Sequence, residues 1–200
     1  MIADLVVQNA GDGSLVYDLG CSTGTTIALL HKRLERRDIQ FIGIDNSESM
    51  LAKAKHNIEQ LNIANCKLQV RDLNQDCEFP NAGAVILNLV LQFIDPDRRR
   101  KLIQAIYEGL LPGAYLILVE KVEIDNPVLN AGFTASYHEF KKRNLYTDAE
   151  IARKRESLEN VLQPWTLEKN IRMLKESGFA VVQEFFRWFN FCGLVAVKQD

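Results

Sequence analysis

Long apolar runs, closely spaced cysteines and a surplus of either charge are all missing from this sequence, and each absence excludes a class of protein. No apolar run approaches the roughly 20 residues that a membrane-spanning helix needs. The opening MIADLVVQNA holds a short apolar stretch but no basic leader, so the chain reads as soluble and cytoplasmic, with no membrane partner. Four cysteines, Cys21, Cys66, Cys77 and Cys192, show no paired CxxC spacing. Reduced thiols fit that scatter better than disulfides or zinc ligands, and no metal is expected. Lys plus Arg total 24 against 26 Asp plus Glu, which argues against a protein that coats nucleic acid or an anionic membrane through bulk charge. Internal repeats and low-complexity segments are also missing.

What is there is a strand and helix alternation. Two hundred residues at 47% hydrophobic and 25% charged suffice for one domain with a full core. Leu15, Val16 and Tyr17 begin a first predicted strand, and Ile27, Leu30 and Leu34 recur behind it at helical spacing. The rhythm repeats through Gln40–Asp45, a helix with Met50, Leu51, Ala54, Ile58 and Leu61 on one face, and Lys67–Val70. Ala84–Phe93 is apolar enough to be a central strand. Asp95-Pro96 caps the next helix, Leu111-Pro112-Gly113 stops it, and Tyr115–Glu120 is a fifth strand. Such alternation predicts an α/β fold with a doubly wound, mostly parallel sheet. Val181–Trp188 and Phe191–Val197 are separated only by Phe189-Asn190, too short for a crossover, so they form an antiparallel hairpin. That ending resembles the methyltransferase type of Rossmann-like fold, in which the last strand inserts antiparallel to its neighbours.

The first turn carries the chemistry. In VYDLGCSTGTT, Val16 to Thr26, a strand runs into Gly20 and Gly24, which supply close approach and sharp bending. The GxxxG spacing does not match the GxGxxG that cradles a pyrophosphate, and a nucleoside suits it better. Asp45 ends the second predicted strand roughly twenty residues past Gly24, where an acid accepts both ribose hydroxyls; Asn46 follows it. Asp72, at the carboxyl edge of the sheet, is placed to receive an adenine amino group. Asn88 is a polar residue inside an apolar strand. The bland alternatives are helix caps for the two acids and a hydrogen-bonded amide for Asn88. His31 and His56 read as ordinary surface residues of helices, and neither they nor Asp18 is given a catalytic role.

The segments DLGCSTG, GIDNS, VILNLVLQF, LPGAYLILVEK, YHEFKKRN, EIARKRESLENVL and FFRWFNFCGLVAVK resemble the carboxy-S-adenosyl-L-methionine synthases from about Leu5 to Lys198. Carried over residue by residue, the family's cofactor contacts fall on Gly20, Cys21, Ser22, Asp45, Asn46, Asp72, Leu73 and Asn88, and its functional arginine on Arg155. The resemblance implies conversion of S-adenosyl-L-methionine and prephenate to carboxy-S-adenosyl-L-methionine and phenylpyruvate, serving tRNA wobble-uridine modification, by a homodimer with no direct nucleic-acid contact. The sulfonium acidifies its methyl group, so proton removal gives an ylide able to capture carbon dioxide released from prephenate. Family members carry several tens of residues ahead of the first strand, including a tyrosine that helps enclose the nucleoside; with a strand near Leu15, this start reads as internal or truncated.

Such chemistry needs a cover. Val122 to Pro164 is longer than an ordinary connection and patterned as two helices, a candidate lid. Phe133, Tyr137, His138 and Phe140 offer rings, with core packing as the alternative role, while Lys141, Lys142, Arg143, Lys154 and Arg155 offer cations. Lys141 to Arg143, like Arg98 to Lys101, read better as a solvated helix face. A methyltransferase of a small molecule or tRNA, and a cofactor-binding protein without catalysis, remain as alternative functions.

Overall fold

The computed structural model describes residues 1–34, 38–158 and 161–199, the side chains of Arg155 and Ser157 excepted. Seven strands form one sheet: β1 (Leu15–Leu19), β2 (Gln40–Asp45), β3 (Cys66–Val70), β4 (Ala82–Asn88), β5 (Leu110–Lys121), β6 (Val181–Trp188) and β7 (Phe191–Val197). Their order is β3-β2-β1-β4-β5-β7-β6. The first five run parallel, and β7 lies antiparallel between β5 and β6. This is the doubly wound sheet with an inserted last strand that the alternation and the hairpin predict.

Side-chain alternation splits the core into two layers. Val16, Phe41, Ala84, Ile86 and Ile117 face one side, under α1 (Ile2–Asn9), α2 (Thr25–Leu34) and α3 (Glu48–Gln60). Tyr17, Leu19, Ile42, Ile44, Val85, Leu87 and Leu116 face the other, under α4 (Pro96–Gly109) and α7 (Leu167–Glu176). Helix α1, which the sequence marks only as a short apolar stretch, is anchored by Val6 and Ala10, both fully buried. Caps set several helix starts. Ser47 accepts from Met50 N–H, Asp95 accepts from Asp97 N–H with Pro96 in the first turn, and Thr166 accepts from Lys169 N–H; each is worth about 1 kcal/mol.

Two boundaries differ from the sequence expectation by several residues. The fourth strand stops at Asn88, because Leu89 adopts φ +62° and Leu91–Phe93 forms a 3-10 turn. Helix α4 ends at Gly109 and β5 begins at once, taking Leu111-Pro112-Gly113 into the strand. Between β5 and α7 stand α5 (Pro127–Arg143) and α6 (Asp148–Leu158), the two helices expected there. Helix α5 has no buried residue; it rests on the hairpin through rings. Phe133 lies 5.4 Å from Phe189, and Phe140 lies 4.8 Å from Trp188. Those two aromatics therefore take the packing role. No helix among the described residues is long and apolar enough to cross a membrane.

Gly109 shows how tightly α4 meets the sheet. A Cβ there would stand 2.2 Å from the Phe79 carbonyl oxygen, a backbone atom that cannot swing aside. Gly109→Ala should therefore cost about 1–3 kcal/mol as overpacking, read as a lower midpoint in urea unfolding; an unchanged midpoint would show that the junction yields freely.

Candidate active site

The carboxyl ends of β1, β2 and β4 open into a cleft of about 320 Å³. Gly20, with φ +72°, donates its N–H to the Ile44 carbonyl at 2.7 Å, so the chain folds back over the end of β2 as it leaves β1. Ser22 then donates its N–H to Asp45 Oδ2 at 2.9 Å, while Ser47 N–H reaches Asp45 Oδ1 at 2.9 Å. One carboxylate thus ties the first turn to the start of α3. Each of its oxygens keeps acceptor capacity beyond one amide bond, which vicinal hydroxyls can use. A Cβ on Gly20 would fall 2.4 Å from Val90 Cγ2, so this glycine answers to protein packing in addition to any ligand.

Asp72 stands just beyond β3, and Asn74 donates to its Oδ1 from both backbone and side chain, at 2.9 and 3.0 Å. Those bonds hold the Asp72 carboxyl below its ordinary value. No helix follows it, so it is a turn residue and not a cap. Asn88 is exposed at the last position of β4 rather than enclosed within a longer strand. Gly20, Ser22, Asp45, Asn46, Asp72, Leu73 and Asn88 all line the cleft. Cys21 does not: its side chain is 5% exposed and packs in the layer under α2, where a Cβ on Gly43 would touch its Sγ. Only its backbone belongs to the turn. Sequence reading missed Arg71, Val90 and Phe93, which also line the cleft. Arg71 carried a signal, being the cationic neighbour of Asp72 at the sheet's edge.

A second cavity, about 590 Å³, lies under α5 and α6 and shares Leu89 and Phe93 with the first. Tyr137, His138, Lys141 and Lys154 line it, as the lid reading expected, joined by Lys121, Asn190 and Phe191. Lys142 turns elsewhere, pairing with Asp148 at 2.8 Å and Glu139 at 3.7 Å. Arg155 falls on α6, and its side chain lies outside the described residues. His56 is exposed, whereas His31 is half-buried. All four cysteines are free.

A family described as a methyltransferase domain matches residues 16–113. The chain is 45% identical, over 99% of its length and 82% of the relative's, to the carboxy-S-adenosyl-L-methionine synthase of Methylococcus capsulatus. It is 43% identical to the protein of that name from Desulfotalea psychrophila, over 98% of this chain and 80% of that one. The chain belongs to the carboxy-S-adenosyl-L-methionine synthase family. The fold of this family member matches that of a SAM-dependent methyltransferase from Aquifex aeolicus with a TM-score of 0.66 at 15% identity, over 98% of this chain and 89% of that one.

Asp18 sits beneath the turn, 2% exposed, with one carboxyl oxygen lacking a partner. Burial, and then the nearby Asp45 charge, push it up to about 7. An aspartate in the unfolded chain titrates near ~3.9, so between that pH and about 7 the folded protein holds a proton that the unfolded chain has released. Its contribution to stability is fully present below the unfolded value and lost as pH rises through about 7. Asp18→Asn, which cannot ionise, should flatten this fall in urea midpoints measured from acid to mildly alkaline pH. Parallel profiles for the two proteins would refute the assignment.

Proposed function

We propose that this chain is a carboxy-S-adenosyl-L-methionine synthase that takes S-adenosyl-L-methionine and prephenate to carboxy-S-adenosyl-L-methionine and phenylpyruvate, in the cytoplasm, for wobble-uridine modification of tRNA. The observation that carries this reading is the pair of neighbouring cavities that share Leu89 and Phe93, an acid-bearing one at the strand ends and a lysine-lined one under α5 and α6, in a member of this family. Asp45 receives the ribose hydroxyls, Asp72 the adenine amino group, and the Gly20–Ser22 turn, with the Cys21 backbone, lies along the nucleoside. Leu73 and Asn46 flank it. Asn88 then faces the sulfonium end, one position before Leu89, which lines both cavities.

A sulfonium methyl is acidic enough to lose a proton and bond to the carbon of carbon dioxide, which prephenate releases together with hydroxide as its ring becomes aromatic; the proton and hydroxide leave as water. The protein's part is to hold the two reactants side by side, keep bulk water from the carbon dioxide, and meet the new carboxylate with a cation. Arg155 takes that last role, since a planar guanidinium grips both carboxylate oxygens. We read the chain as a homodimer, supported by Val128, Leu129 and Leu145, exposed apolar residues on and after α5. A near-balanced net charge of -2 speaks against an RNA-binding methyltransferase.

Incubation with S-adenosyl-L-methionine, with and without prephenate, followed by mass analysis tests the reaction. A prephenate-dependent carboxylated product is expected; S-adenosylhomocysteine with a methylated acceptor would identify a methyltransferase instead. Asp45→Ala removes a charged acceptor and should weaken S-adenosylhomocysteine binding by about 1.5–3 kcal/mol, measured by titration calorimetry; undiminished affinity in a folded variant would leave the acid a purely structural tie. Wild type should bind carboxy-S-adenosyl-L-methionine in preference to S-adenosyl-L-methionine. In competition binding, Arg155→Ala should lose most of that preference and Arg155→Lys recover part; an unchanged ratio would place the carboxylate elsewhere.

A further inference from the structure

The second cavity has an unusual charge balance. Among the described residues its wall includes three lysines, Lys121, Lys141 and Lys154, and no aspartate or glutamate. Neither Lys121 nor Lys141 joins an ion pair with a described carboxylate, although Lys142, one position along, has two. The three arrive from separate elements: the end of β5, the inner face of α5 and the inner face of α6. Burial lowers the Lys121 ammonium's pKa, and it lowers that of Lys141 together with the charges of Lys121 and Lys154. Lys121 and Lys141, close enough for one charge to depress the other and neither paired with a described carboxylate, carry a cost that a bound anion relieves.

The rest of the wall describes the anion's body. Lys141 Nζ stands 4.4 Å from the centre of the Tyr137 ring, and Tyr137 meets Phe191 edge-on at 5.0 Å. Phe191 is the direct cross-strand partner of Lys121. Cation and ring are thus in contact on α5 and in register across β5 and β7. Gln92 and Asn190, both buried and each with an amide oxygen lacking a partner, add polar side chains to the wall.

We infer that Lys121 and Lys141 form the carboxylate-binding subsite for a ring-bearing dicarboxylate, with the Tyr137 and Phe191 rings against its apolar body. The inference rests on the proposed function for the identity of that substrate, and it assigns the second substrate's affinity to these two side chains rather than to the nucleoside cleft.

Prephenate titrated into protein preloaded with S-adenosylhomocysteine, which has no methyl group to react, measures this subsite alone. Lys121→Gln and Lys141→Gln should each weaken prephenate at least tenfold, while Lys142→Gln, with the same change in net charge, leaves it within twofold of wild type. S-adenosylhomocysteine affinity should stay unchanged throughout, and thermal unfolding reports whether each variant is folded. Prephenate binding equal to wild type in both subsite variants, or no binding to wild type, overturns the inference. Lysine-dependent binding without any carboxylated product from the wild-type enzyme would uphold the subsite and sink the proposed reaction instead, so the two can fail separately.

Discussion

One buried carboxylate holds the working face together. Glu120, 2% exposed near the end of β5, accepts the backbone N–H groups of Val90, Leu91 and Gln92 at 3.0, 2.7 and 3.2 Å. Burial pushes its carboxyl up to about 8 against the opposing pull of those amides and of Arg99. Arg99, itself buried, donates to the Ile94, Gln92 and Gln163 carbonyls and lies 4.6 Å over the Trp165 ring. Between them the two side chains satisfy both the donors and the acceptors of a turn that has few partners of its own, as burial requires. That turn supplies Leu89 and Phe93 to both cavities, and its Val90 presses against Gly20. Move it, and the cleft at the strand ends and the cavity under α5 and α6 both change shape.

The neighbouring cavities differ in sign, and the difference is chemical. Asp45 and Asp72 bring carboxyl groups to the first, and Lys121, Lys141 and Lys154 bring amino groups to the second. A sulfonium lying between them would face acids behind and lysines ahead. Such a gradient suits a reaction that converts a methyl group into a carboxylate, because the developing negative charge points toward the basic side. Asp18, below the turn, is neutral at mildly acid pH.

Much of the frame was legible because local signals and global topology agree. Gln40–Asp45 and both hairpin strands have the bounds that their residues suggest, since a two-residue link admits one geometry and the apolar period marks the ends. Seven of eight carried-over contacts line one cleft because they share strand ends that a parallel sheet gathers along one edge. Cys21 shows the limit. Next to Gly20 and Ser22 in the chain, it points into the opposite layer, and only the path of the turn decides that.

The sequence by itself determined the alternating elements, the antiparallel ending, the acids at the strand ends and the family, since periodicity, turn residues and motif spacing are properties of neighbours along the chain. Tertiary structure alone decided where Ala84–Phe93 stops being strand: hydropathy records burial, and Leu91, buried in a turn under α4, is as apolar as one in a sheet. It also decided that Lys121 and Phe191, seventy positions apart, share a wall, because the insertion of β7 beside β5 sets that register. A charge is readable in a sequence; the cavity it faces is made by residues that meet only when the chain has folded.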